Sequence, residues 1–322
     1  MRTLTALALI VPVAMATSTA AQAARVTVDV LHPAEAPLPG DIVRVAVIDR
    51  SGSANAGQAL LGTLEAAVTG EGIRADRDAA RQAVQTMVDQ LRASPRFEVV
   101  SVPVGRKAVE ASLWDKAMSA RAARQLCLNV CDAIIALESF DTDGGANGAV
   151  RSTGAVATWR VYDAENGAIL DSERMYAGGN GVNVGSTALD MVLNNELASD
   201  IADGTALAYA ARISPTWRAE SRRLLGTNRG LRAGIRAAKA GDWSGATAHW
   251  EHVASTGNPR QRGKALFNLA VAAESQGDLD TAIALAADAN GMLSRPAPRT
   301  LSVRLRTRAA DEVRLQDQLA SR

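Results

Sequence analysis

Apolar and polar residues alternate in several short runs of the N-terminal two thirds of the chain, and each run predicts a strand. VTVDVL (residues 26–31) alternates strictly and is rich in β-branched residues, whereas IVRVAVID (42–49) is more continuously apolar. Further strands are predicted at residues 96–102, 132–140, 154–163 and 168–176. Asn166-Gly167 between the last two runs indicates an antiparallel hairpin.

Helical periodicity separates these strands. Residues 76–93 place apolar side chains on one stripe opposite their charges, and Ser94-Pro95 ends the helix. Two further helices are predicted over residues 112–127 and near 187–212. Strand, helix, strand, helix, strand is the order of a layered α/β sheet, which the hairpin extends in antiparallel fashion. The sequence therefore predicts an α/β domain with a mixed sheet over residues 24–212.

From Trp217 onward no segment has the pattern of a strand, and a helical repeat with a period of 36 begins. GDWSGATAHWEHV from Gly241 aligns with GDLDTAIALAADA from Gly277, so that Ala246 matches Ala282. An apolar helical segment precedes each of these two runs. We therefore predict an all-α helical repeat domain over residues 213–322, in which the tail 301–319 can serve as a cap.

Residues 1–23 have the order of a secretory signal peptide. Arg2 precedes the apolar run 7–15, and small residues end in Ala21-Gln22-Ala23. The apolar run is about half the length that a membrane-spanning helix needs. We expect cleavage after this segment, a location in the periplasm or outside the cell, and no transmembrane span in the mature chain.

Charge is distributed unevenly along the chain. Residues 24–211 contain 16 Lys and Arg against 24 Asp and Glu, whereas residues 212–322 contain 18 against 10. A basic half can attract an acidic partner. The alternative is that arginine coats the helices and that the two halves attract each other.

Cys127 and Cys131 are the only cysteines. Export places them in an oxidising compartment, and they can be bridged if a helix ends between them. Three intervening residues exclude a redox C-x-x-C motif. A small structural disulfide and two buried thiols both remain open at this stage.

Candidate catalytic and metal-binding groups are incomplete. His249 and His252 flank Glu251 on a helix, but no third ligand with suitable spacing accompanies them. Glu138 with Asp141, or Asp171 with Glu173, could form a glycosidase couple, although the same spacing fits a solvated strand face. Motifs for nucleotide binding and nucleophilic hydrolysis are missing. We expect no enzyme activity, no metal and no cofactor.

We expect no nucleic-acid partner, because aromatic residues make up only 3% of the chain and the basic half has no strand in which arginine and aromatic residues alternate. Export argues against nucleic acid as well. Trp217, Trp243 and Trp250 fit packing positions of the helical domain, or anchors for a bound peptide.

Three resemblances add to this picture. Leu269-Ala270, Gly277, Ala282 and Ala289 are similar to the leucine-small pair, turn glycine and packing alanines of the tetratricopeptide repeat. The run from Pro33 to Arg50, with SPRFEVV and CDAIIALESFD, resembles a family of exported bacterial proteins of unknown function that join an α/β domain to tetratricopeptide-like helices. By element order, the α/β half is also similar to periplasmic domains of the curli-secretion lipoprotein and the penicillin-binding-protein activator lipoproteins, and to the N-terminal domain of the Tol-Pal translocation protein.

These observations lead to a non-enzymatic adaptor as the first hypothesis, with an envelope or periplasmic protein as its partner. The residues predicted to bind that partner lie in the helical repeats and are Arg232, Arg236, Lys239, Trp243 and Asn268. A solute- or glycan-binding module using loops at Asp49–Ser53 and Asp141–Gly148 is the alternative. A hydrolase is the third hypothesis.

Overall fold

The computed structural model describes residues 24–51, 73–102, 117–147, 150–179 and 202–320. The predicted signal peptide lies outside these residues, as does most of the helix predicted near 187–212. No helix within the described ranges is long and apolar enough to cross a membrane.

Five strands form a mixed sheet, and two more form a separate pair. The strands are β1 (Arg25–His32), β2 (Arg44–Asp49), β3 (Glu98–Val99), β4 (Ala133–Asn147), β5 (Val150–Asp163), β6 (Ile169–Gly179) and β7 (Thr216–Arg223). The five-stranded sheet has the order β3-β2-β4-β5-β6, and β1 pairs with β7. Strand β2 is parallel to β3 and β4, whereas β4, β5 and β6 are antiparallel neighbours. The predicted mixed sheet is confirmed.

Both faces of the five-stranded sheet are covered by helices. Helix α1 (Ile73–Ala93) and the helical residues 202–213 (α3) pack on one face with side chains such as Ile135 and Trp159. Helix α2 (Ala120–Cys127) packs on the other face with Ile134 and Tyr162. Alternation along each strand sends neighbouring side chains into opposite cores, which explains the continuously apolar β2 and β4.

Helix α2 is shorter than the sequence indicated. The prediction began it at residue 112, but residues 117–119 are not helical, and the Ser119 side chain caps the helix by accepting a hydrogen bond from the Ala122 N–H at 3.2 Å. A serine at this position satisfies one of the free N–H groups at a helix start. Residues 112–116 lie outside the described residues.

The loop predicted at residues 141–148 is wrong for residues 141–147. Strand β4 continues through Asn147, and its backbone pairs with β5 from Asp141 opposite Val156 to Asn147 opposite Val150. Strands pair through their backbones, which needs no apolar side chain. A polar, glycine-rich stretch can therefore extend a strand, although its sequence pattern predicts a loop. One of the two loops on which the solute-binding alternative rested is therefore a strand.

The prediction that no strand follows Trp217 is also wrong, because β7 covers Thr216–Arg223. This strand is TWRAESRR, in which only the first and seventh residues are buried. It lacks the apolar alternation that marks a strand, since its single partner is β1 and most of its side chains face water.

The remaining chain is helical, as predicted. It contains α4 (Arg229–Lys239), α5 (Trp243–Thr256), α6 (Pro259–Ser275), α7 (Leu279–Met292) and α8 (Pro296–Ala320). Consecutive helices from α4 to α7 pack against one another.

The 36-residue sequence repeat is also a structural repeat. Gly241 between α4 and α5 has φ of 81°, and Gly277 between α6 and α7 has φ of 82°. Glycine adopts this left-handed conformation without steric cost. Asp242 and Asp278 then cap the second helix of each hairpin, with φ of −82° in both. Two equivalent helical hairpins therefore follow each other.

By its contacts, the chain divides into two compact units. The helical unit comprises residues 1–28 and 221–305, and the α/β unit comprises residues 29–220 and 306–322. Each unit therefore combines two segments that are far apart in the sequence.

Asp132 connects β4 to β2 and provides a pH-dependent contribution to stability. Its carboxylate accepts hydrogen bonds from the N–H groups of Val43 and Arg44 at 3.1 and 2.7 Å and from the Arg44 guanidinium at 2.7 Å. Partial burial raises the pKa of Asp132, but these bonds outweigh it and hold the pKa below its ordinary value of 3.8.

Because the folded-state pKa is depressed, the Asp132 carboxylate contributes stability above about pH 4 and loses that contribution as the pH falls. We expect Asp132→Asn to lower the free energy of unfolding at pH 7, and the difference from the unmodified protein to shrink between pH 4 and pH 3. Urea titrations of both proteins at each pH measure it. A difference that stays constant with pH would contradict this role.

Candidate functional site

The end of β7 and the residues that follow it, 222–227, are held along α6 by buried polar side chains. Arg222 donates through Nε and Nη2 to both carboxylate oxygens of Glu274 at 2.8 and 2.7 Å. The two side chains are only 4% and 1% exposed. Removing two charges from water is costly, and paired hydrogen bonds of this geometry offset the cost. The ion pair thus attaches the end of β7 to the end of α6.

Two more polar side chains of α6, those of Asn268 and Lys264, hold the residues that come after Arg222. The segment runs antiparallel to α6, so its later residues meet earlier residues of the helix. The Asn268 amide accepts a hydrogen bond from the Leu225 N–H at 2.8 Å and donates one to the Leu225 carbonyl at 2.9 Å. Lys264 donates from Nζ to the hydroxyl of Thr227 at 3.1 Å. Burial lowers the pKa of Lys264, and nearby arginines lower it further.

Asn268 was predicted to bind a partner, and the structure places it in the interior of the helical unit. It is fully buried, and both ends of its amide are bonded to Leu225. It is therefore unavailable to an external ligand. Arg222, Lys264 and Glu274 were not predicted as buried polar residues. A sequence signal existed only for Lys264 and Glu274, which are charged residues at either end of the apolar part of α6.

The other predicted binding residues are accessible. Arg232, Arg236 and Lys239 are exposed and spaced four and three residues apart on α4, which places them on one face of the helix. Arg232 bonds weakly to two backbone carbonyls at the start of α4 at 3.3 Å. None of the three forms an ion pair with another described residue. Half-buried Trp243 begins α5 just after the turn. We call these four residues the α4 basic row.

Trp250 is a core residue. Its side chain is fully buried, its ring N–H donates to the Leu231 carbonyl at 3.2 Å, and a Cβ added at Gly234 would overlap its indole. Trp217, in contrast, is 52% exposed on β7. The glycine explains how a large ring fits between α4 and α5.

A buried polar group lies at the carboxyl ends of the parallel strands. Arg50 Nη1 and the Tyr162 hydroxyl both donate to Glu138 Oε1, at 2.6 and 2.7 Å. Burial, followed by the Glu138 carboxylate, raises the pKa of Tyr162. Glu138 is thus a buried carboxylate that accepts hydrogen bonds from Arg50 and Tyr162. The side chain of Asp141, its suggested catalytic partner, is not among those that the structure describes.

The second acidic pair, Asp171 and Glu173, attaches α3 to β6. The Tyr209 hydroxyl donates to Asp171 at 2.8 Å, and Arg212 pairs with Asp171 at 3.0 Å and with Glu173 at 3.6 Å. Burial raises the pKa of Tyr209, and the charge of Asp171 raises it further. Both carboxylates are engaged in contacts that hold the fold together.

Cys127 and Cys131 form a disulfide, with their Cα atoms 5.1 Å apart. Helix α2 ends at Cys127, and Leu128 adopts the left-handed conformation with φ of 45°, so the chain turns between the two cysteines. His249 and His252 are exposed on α5. Within the described ranges, no three His, Cys, Asp or Glu side chains are grouped as a metal site requires.

These features define a two-part protein with a helix-covered mixed sheet and a pair of repeated helical hairpins. Residues 42–224 match the family described as Domain of unknown function (DUF8603), and the chain belongs to that family. Residues 232–312 match a second family, Domain of unknown function (DUF6340). No curated protein matches the sequence significantly.

Solved structures with partial similarity include proteins from three bacteria. The PelC dodecamer from Paraburkholderia phytofirmans is 13% identical over 59% of this chain and 98% of its own, with a TM-score of 0.29. The hypothetical protein CT253 from Chlamydia trachomatis is 13% identical over 52% and 99%, with a TM-score of 0.30. Lipoprotein GNA1162 from Neisseria meningitidis is 16% identical over 50% and 99%, with a TM-score of 0.21.

Proposed function

We propose that this protein is a non-enzymatic adaptor of the bacterial envelope that binds an acidic segment of a partner protein along the α4 basic row. The observation that carries the proposal is an exposed line of three cations without carboxylate partners among the described residues, followed by a half-buried tryptophan. Guanidinium groups form paired, charge-assisted hydrogen bonds with carboxylates. A flanking aromatic ring can contribute apolar contact.

A location in the periplasm or outside the cell is part of the proposal. The first 23 residues have the pattern of a signal peptide, and the disulfide between Cys127 and Cys131 is a bond that persists in oxidising compartments. We also propose that the two hairpins are tetratricopeptide-like repeats. Their identical glycine turns and aspartate caps at a spacing of 36 residues support this relationship.

Site-specific photo-crosslinking in the native host tests the proposal. A photoreactive residue at exposed Ala240, next to the α4 basic row, should capture one partner through a segment rich in Asp and Glu. Arg232→Glu with Arg236→Glu should reduce the capture about tenfold or more, because two attractive contacts become repulsive. Mass spectrometry of the crosslinked peptides identifies the segment.

The matched control reverses two charges elsewhere on the helical unit. Arg260→Glu with Arg262→Glu changes exposed residues in the first turn of α6, where acidic side chains also suit the helix dipole. Capture should persist in this control. Equal loss in both variants would indicate a general charge effect, and equal capture in both would remove the α4 basic row from the binding surface.

A further inference from the structure

A second basic site lies in the helical unit, in a cleft away from the α4 basic row. The cleft has a volume of about 300 Å³. Its walls include the exposed side chains of Arg25, Arg223 and Arg304, from β1, β7 and α8 respectively. Its apolar part includes Phe267, Val271 and Leu301, all of which are buried.

The charge of this cleft is one-sided. Its lining contains no Asp or Glu among the described residues, and a fourth arginine of the lining, Arg222, is paired with Glu274 behind it. Arg25 donates a long hydrogen bond of 3.4 Å to the Ser221 hydroxyl, but none of the three exposed arginines pairs with a carboxylate within the described ranges. Arginine stays protonated at all relevant pH values, so the three charges repel one another unless an anion joins them.

The start of α8 contributes in the same direction. Its first turn forms part of the cleft wall, and because Pro296 and Pro298 have no N–H group, the N–H groups of Ala297 and Arg299 are the ones that this turn leaves without a partner within the helix. The positive end of the helix dipole adds to the attraction for an anion. Thr300, one turn further on, is also in the lining, and its hydroxyl donates to the Pro296 carbonyl at 3.1 Å.

From this geometry we propose that the cleft binds a small amphiphilic anion, a carboxylate or phosphate group attached to an apolar group. The arginines and the start of α8 hold the anionic group, and the apolar part of the cleft, at Phe267 and Leu301, receives the apolar group. A volume of about 300 Å³ is at the lower end of small-ligand pockets, which suits one short apolar group with its charge. The residues differ from those of the α4 basic row, so the two proposals stand independently.

Calorimetric titration of the full mature chain tests this site. Octyl phosphate and octanoate, below their micelle-forming concentrations, should bind saturably. Inorganic phosphate lacks the apolar group and octanol lacks the charge, so both should bind at least about tenfold more weakly. Comparison of octyl phosphate with octanoate shows which anion the arginines prefer. Affinity for either should fall as salt is raised, because the arginines are exposed.

Variants locate the binding. Arg223→Gln with Arg304→Gln should weaken octyl phosphate binding about tenfold or more, since each removes charge-assisted hydrogen bonds. Arg299→Gln, an exposed arginine of the first turn of α8 that does not line the cleft, is the control and should bind normally. The proposal is overturned by unchanged binding in the double variant, by octanol or inorganic phosphate binding as tightly as octyl phosphate, or by no saturable binding of either amphiphile. Arg232→Glu with Arg236→Glu should leave this binding intact.

Discussion

Replacing Glu274 with glutamine should lower the free energy of unfolding of the helical unit by about 3–5 kcal/mol, the cost typical of breaking a buried ion pair. The Arg222 guanidinium stays almost fully buried, but its carboxylate partner becomes a neutral amide. The same change weakens the attachment of β7 to α6. Denaturant unfolding, monitored by hydrogen exchange of the α6 amides, measures the lost free energy of unfolding in the helical unit specifically.

Two further variants separate burial from ion pairing. Asp78 and Arg81 form an ion pair at 2.6 Å on the surface of α1, with both side chains 70% exposed. Asp78→Asn should cost at most about 1 kcal/mol, because water screens exposed pairs. Arg222→Met with Glu274→Leu should cost less than Glu274→Gln alone, since no buried charge is left behind. A similar small loss for Glu274→Gln and Asp78→Asn would mean that the buried pair does not hold the helical unit together.

Local patterns explain which parts of the fold could be predicted. The glycine and aspartate at each hairpin turn act within a few residues, so the sequence repeat at Gly241 and Gly277 indicated the structural repeat directly. The same holds for α1, whose apolar stripe faces the sheet. These features depend on residues that are close together in the sequence.

The features that the sequence did not predict depend on residues far apart in it. Arg222 stands in a run of polar residues that reads as a solvated surface, and its partner Glu274 is 52 positions away. The residues of the basic cleft come from both ends of the chain. No local period or motif records such contacts, because they arise only when distant segments pack together.

The burial of Asn268 could not be predicted for a related reason. Spacing of three and four residues places Arg232, Arg236 and Lys239 on one face without any tertiary information. Whether Asn268 faces a partner or the protein interior depends on the segment that follows β7. That segment was expected to be helical or irregular, and it is the one that binds the Asn268 amide.

Trp250→Ala should be the second large perturbation, with a loss of about 3–5 kcal/mol in the free energy of unfolding. The indole is fully buried between α4 and α5, and its removal leaves a cavity and deletes the hydrogen bond from the ring N–H to the Leu231 carbonyl. Trp217→Ala deletes the same side chain at a position that is 52% exposed, and should cost far less. Comparable losses in the two variants would contradict a core role for Trp250.

Gly234 provides a sharper test of the same contact, because the Trp250 ring occupies the place that a Cβ atom at residue 234 would take. Gly234→Ala should cost about 1–3 kcal/mol in the unmodified protein through overpacking. In the Trp250→Ala background the added methyl group enters the cavity, and alanine also favours the helix by about 1 kcal/mol over glycine. The two changes should therefore be strongly non-additive. Gly291→Ala in α7, where an added Cβ meets no neighbouring atom, should be neutral or stabilising in both backgrounds and so separates packing from helix propensity.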